Sequence, residues 1–193
     1  MSLRARGSIA AGALAAVLLP ACGVAHEVRA SCTAADPTLT ILSAQAVPSA
    51  TMLPCIKEFP AGWTYEGEDV RSNRATFWLA NDRAGFRAVQ VDLTGECDVG
   101  SAVEVAPAPD EAGTRRFEEP LALSPAYQAN RYYRFPGGCV TYRFRFRAGA
   151  STTLALEVDE ALSFRPRAPL VEHVREEFGQ ILCGAGAPPC IGE

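Results

Sequence analysis

Lysine is almost missing from this chain: Lys57 is the one lysine among 18 basic residues, the others being arginines. Histidine is nearly as scarce, with only His26 and His173. No two of the seven cysteines stand in C-x-x-C spacing, so a structural zinc site has neither its cysteine pairs nor a histidine pair. G-x-S-x-G and S-x-x-K are absent, which removes the familiar settings of a serine nucleophile. Gly137-Gly138 follows Pro136 in a turn and opens no helix, so no phosphate-cradling loop is expected. No uncharged apolar run reaches the roughly 20 residues that span a bilayer. Acids outnumber bases 22 to 18, and nucleic acid is not an expected partner. There is no internal repeat, and no cofactor is implied.

The N-terminus carries the most specific pattern. Arg4 and Arg6 precede the uncharged run 8–19 (SIAAGALAAVLL), which ends in Leu19-Pro20-Ala21-Cys22. A basic start, a short apolar middle and a small residue before cysteine make an export signal. The stretch resembles the lipobox of bacterial envelope lipoproteins. The resemblance covers only the first twenty-odd residues. It implies that residues 1–21 are a signal peptide and that Cys22 becomes a lipidated N-terminus, held at the extracytoplasmic face of the cell membrane by its acyl chains. Abundant Ala, Gly, Val and Arg fit coding from a GC-rich genome such as an actinobacterium's. Val28-Arg29-Ala30 offers a second, small-x-small cut that would instead secrete the chain after Ala30.

Either route leaves six cysteines: Cys32, Cys55, Cys97, Cys139, Cys183 and Cys190. An even set in an oxidising compartment predicts disulfides. Six cysteines allow 15 connectivities, and spacing alone does not choose among them. Cys183 and Cys190, separated by Gly-Ala-Gly-Ala-Pro-Pro, are placed to close a short local bridge. Removing residues 1–21 also removes Arg4 and Arg6, which takes the formal charge from −4 to −6.

Residues 22–37 read as anchor and tether, because 23–37 show neither a period of 2.0 nor one of 3.6. Residues 38–193 read as one globular domain, with 106–113 (APAPDEAG) a surface loop near its middle. Over 74–94, Ala75, Phe77 and Leu79 alternate with Thr76, Trp78 and Ala80, and Val89, Val91 and Leu93 alternate with Ala88, Gln90 and Asp92. This predicts a hairpin pairing Leu79 with Val89 and Phe77 with Val91, turning at Arg83-Ala84-Gly85. A second hairpin is predicted over 131–147, where Phe135-Pro136-Gly137-Gly138 suits a type II turn. Residues 62–70, 101–105 and 114–123 are weaker strand candidates. Helices are expected over 153–163, where a strand competes, and over 169–183, with Gly184 as C-cap. The expected fold is α+β: a mostly antiparallel, disulfide-braced sheet with C-terminal helices.

Candidate chemistry is sparse. Between Glu119 and Glu157 lie 37 residues with five arginines and no acid, and Arg143, Arg145 and Arg147 share one face of a predicted strand. Guanidinium forks at that spacing suit an anionic envelope component or an acidic envelope protein. The same stripe also fits an ordinary charged face neutralised by Glu157, Asp159 and Glu160. His173, Glu176 and Glu177 fall at i, i+3 and i+4 but lack further metal ligands, and read as solvated helix surface. Glu66, Glu68 and Asp69, and Glu118 with Glu119, sit by turns or strand ends where solvated acids are routine. Trp63, Tyr65, Trp78, Tyr132 and Tyr133 would line a groove only if they shared a face; for Trp78 a covered position is the expectation. The sequence therefore points to a non-catalytic, membrane-anchored binding domain, with an envelope hydrolase or a structural spacer as alternatives.

Overall fold

The computed structural model describes residues 30–32 and 38–183. The chain runs through α1 (Thr38–Ala46), β1 (Met52–Ile56), β2 (Trp63–Arg71), β3 (Arg74–Asn81), β4 (Gly85–Thr94) and β5 (Val103–Val105). It continues through β6 (Arg115–Ala122), β7 (Gln128–Phe135), β8 (Gly138–Arg145), α2 (Thr153–Ala161), β9 (Leu162–Pro166) and α3 (Arg167–Phe178). Seven strands form one antiparallel sheet in the order β2-β3-β4-β8-β7-β6-β5, and β1 pairs with β9 in a second, two-stranded sheet. The fold is α+β, mostly antiparallel and braced by disulfides, two of them between described residues.

The sheet has an inner face, on which the helices and the small sheet pack, and an outer face. Phe77, Leu79, Val89, Val91, Val140, Tyr142 and Phe144 point inward. Phe164 of β9 lies on them, its ring centroid 5.0 Å from that of Tyr133 and 6.1 Å from that of Tyr142. Leu39, Leu154 and Leu170 bring α1, α2 and α3 into the same apolar cluster. Burying that cluster is the main stabilising contribution.

The first hairpin has the predicted register, with Leu79 opposite Val89 and Phe77 opposite Val91. Its loop differs: Asn81 pairs with Gly85, so the turn is 82–84 rather than 83–85. Asn81 Oδ1 accepts the backbone N–H groups of Arg83 (2.8 Å) and Ala84 (3.3 Å), which closes the turn one residue early. The displaced register is absorbed as a bulge in which Arg87 takes a φ of 48°. In the second hairpin Phe135 pairs with Gly138, and Gly137 at φ 74° supplies the left-handed corner of the predicted turn. The three weaker strand candidates become β2, β5 and β6.

The C-terminal elements shift more. Residues 153–161 are helical as expected, but the chain then straightens at Leu162 into β9 to pair with β1. The last helix starts earlier and ends sooner than 169–183: Gly179, at φ 62°, stops it with an N–H to Arg175 O hydrogen bond of 3.0 Å. A glycine at that position enters the left-handed region without steric cost, so the apolar spacing beyond it does not prolong the helix. Leu182 still packs into the core, whereas Phe178 and Ile181 are exposed. Gly184 lies outside the described residues.

Cys32–Cys55 (Cα–Cα 4.9 Å) and Cys97–Cys139 (5.7 Å) are the two described bridges. The second ties the 95–102 crossover, which carries the chain from the sheet centre to its far edge, to the start of β8. Cys183 is also disulfide-bonded, and its other half lies outside the described residues, as do Cys190, Cys22 and residues 1–21. Such bridges belong to an oxidising, extracytoplasmic environment. Part of the expected tether is held by the domain: Ala30 is buried, its carbonyl accepts the Ile56 N–H at 2.6 Å, and Cys32 N–H donates to Ile56 O at 3.0 Å. Among the described residues no helix is long and apolar enough to cross a membrane.

Candidate functional site

The outer face of the sheet takes the alternate residues of each strand, so its chemistry follows from the register. Trp78 lies opposite Gln90, Gln90 opposite Arg143 and Arg143 opposite Asn130, while Thr76, Asp92, Thr141 and Tyr132 form the adjoining row. Trp78, Gln90, Arg143 and Tyr132 are half-buried, and Arg145 is exposed.

Asp92 sits at the centre of this face, and its side chain is 2% exposed. Its carboxylate accepts Arg74 Nε at 3.0 Å, Thr76 Oγ1 at 2.7 Å and Gln90 Nε2 at 2.9 Å, and forms an ion pair with Arg143. Two guanidinium groups around one carboxylate leave a local excess of positive charge. Partial burial, then repulsion from Arg74 and Arg145, holds the Arg143 guanidinium below its ordinary pKa.

The same arithmetic holds across the whole face. The carboxylates of Asp69 and Glu104 pair with Arg71 and Arg115, and Glu119 accepts hydrogen bonds from Asn130 and Tyr132. Arg87, Arg134 and Arg145 have no carboxylate partner among the described residues. Seven arginines therefore stand against five carboxylates on this face of an acidic chain, Glu66 beside Thr64 being the fifth.

The structure brings Arg143 and Arg145 together on β8, a central strand, and places Arg147 just past its end. Arg145 Nη1 donates to Ala129 O and Phe144 O, and its Nη2 to Asn130 Oδ1. Three of its five N–H donors are used this way, and two remain for a partner. Arg147 Nε donates to Arg83 O at 2.9 Å. The expected neutralising segment does not serve the stripe: Asp92 takes Arg143, Glu157 pairs with Arg83 at 3.4 Å, and Asp159 turns to the inner face.

The five candidate aromatics separate. Trp63 and Tyr133 are buried in the core, and Tyr65 packs on Phe77 at 6.1 Å. Trp78 occupies the outer face, as the alternation places it, and is half-buried rather than covered; the Arg87 guanidinium lies 4.3 Å from its ring centroid. No shared aromatic groove results.

One cluster escapes sequence reasoning. On the inner face, Arg131 and Arg116 meet Glu111, Glu118 and Asp159, joining β6 and β7 to α2. Arg131 is 7% exposed although it belongs to the arginine-rich segment. The alternation of β7, with Ala129, Arg131, Tyr133 and Phe135 on one side, is the signal that places it inward. The cluster joins α2 to the sheet. Glu118 and Glu119 point to opposite faces, so they do not form a pair. Glu68 accepts the Tyr65 hydroxyl at 2.7 Å, Glu66 that of Thr64 at 3.1 Å. Among the described residues no group of three histidine, cysteine or acidic side chains is arranged to hold a metal, and the His173 ring packs against Phe178.

No protein-family model and no curated protein matches this chain. A crystal structure of a protein from Bacteroides thetaiotaomicron is similar over 70% of this chain and 62% of its own length, with a TM-score of 0.32 and 14% identity. The match thus spans less than two thirds of that protein, and a likeness at this level says nothing about activity.

Proposed function

We propose that this protein is an exported, membrane-anchored envelope lipoprotein whose domain is a non-catalytic binder of an anionic envelope component or acidic envelope protein. The observation that carries the reading is the outer sheet face, where arginines outnumber carboxylates in a chain of formal charge −4. A concentrated basic face on an acidic molecule attracts polyanions locally while the molecule as a whole stays soluble. The anchor rests on Leu19-Pro20-Ala21-Cys22. Ala30 favours this start over the alternative cut, because cleavage after Ala30 would remove a buried side chain and the acceptor of the Ile56 N–H.

Two experiments test the proposal. The intact mass of membrane-extracted protein is expected to show acyl chains on Cys22, and a mature chain beginning at Ser31 would refute the anchor. Binding of the full chain to purified anionic envelope polymer is expected to weaken with salt and to fall severalfold in Arg145→Glu. Equal binding by wild type and variant would remove the outer face from the function.

A further inference from the structure

We infer that the cavity between the β3–β4 turn and the segment following β8 binds a phosphate group. This rests on the reading of the domain as a binder of anionic envelope material, and adds where the charged group sits and what it is.

The cavity holds about 580 Å³ and is lined by Arg83, Arg147, the turn 148–151 and Leu154. No acidic residue is among those that line it, whereas two arginines are. Arg147 is fixed at both ends of its reach. Its backbone N–H donates to Ala84 O at 2.8 Å and its Nε to Arg83 O at 2.9 Å, which leaves the Nη1 and Nη2 edge for a ligand. Among the described residues the Arg83 guanidinium pairs with Glu157 alone, at 3.4 Å and in solvent, a contact weak enough to be exchanged for a doubly charged oxyanion. Two such forks around one small group suit the tetrahedral oxygens of phosphate better than a single carboxylate. The 148–151 turn is uncharged, so the remaining wall accepts the uncharged part of a small phosphate ester. The volume falls in the range of small-molecule sites.

Glycerol phosphate and a short-chain phosphatidylglycerol, kept below its micellar concentration, are titrated into the full chain by calorimetry. One-to-one binding of glycerol phosphate is expected, weakened about tenfold or more in Arg83→Ala and Arg147→Ala. Arg83 is largely exposed, so its variant tests binding without disturbing the fold. Glu157→Gln, which releases Arg83, is expected to tighten binding. Tighter binding of the phosphatidylglycerol, a singly charged diester, assigns the site to a lipid headgroup, and equal, weaker or absent binding of it to a soluble ester. Failure of both probes to saturate, or wild-type affinity in both arginine variants, overturns the inference. If Arg145→Glu still weakens polymer binding in that case, the broader function stands; if it does not, both fail.

Discussion

Tyr133 and Tyr142 bury their hydroxyls in the inner face without a hydrogen-bond partner among the described residues, their ring centroids 4.9 Å apart. An unpaired buried hydroxyl is costly, so Tyr142→Phe is expected to raise stability by about 1 kcal/mol in urea unfolding, and a loss of that size would contradict the unpaired assignment. Burial holds the Tyr142 phenol above its usual value of 10. The unfolded chain ionises at the ordinary value, so the stabilisation from neutral tyrosines is complete below pH 10 and is lost as pH rises beyond it. Phenolate absorbance from these residues is expected to rise together with unfolding, and not in an intact fold. Asp92 shows the reach of sequence reasoning at this scale. Alternation puts it on the polar face, but its burial depends on Arg74 and Arg143 arriving from two other strands.

Among the elements, two glycines separate steric from conformational demand. A Cβ at Gly137 would lie 1.8 Å from Ser49 O, so the turn must be glycine both for its φ of 74° and for the chain that crosses it. Gly179 has a similar φ of 62° and nothing within 4 Å. Gly179→Ala is therefore expected to cost about 1 kcal/mol and Gly137→Ala about 3 kcal/mol or more, by thermal or urea unfolding. Equal costs would mean that the Ser49 contact relaxes freely. Both hairpins were legible because alternation and turn chemistry are local. The end of α3 was not, since apolar spacing continues past Gly179, and β9 was not, because Leu162–Pro166 becomes a strand only by pairing with β1.

For the whole molecule, the bridges fix what the sheet alone leaves loose. Cys97–Cys139 closes 42 residues of chain across the crossover, and Cys32–Cys55 closes 23 around the start of the domain. Replacing either pair by serine is expected to lower stability by about 3–4 kcal/mol in the loop-entropy model, and non-reducing peptide mapping should recover both pairings. The recovery of Cys183 joined to Cys190 would complete the local bridge that their spacing suggests. By itself the sequence determined the strand alternation and the turn of the second hairpin, because each is written in neighbours along the chain. The tertiary structure alone decided which cysteines meet, that Arg131 and Asp159 share the inner face, and that Arg143 sits over a buried carboxylate. Those outcomes depend on strand order, which brings β4 beside β8 and α2 against β6 and β7, and no local period encodes it.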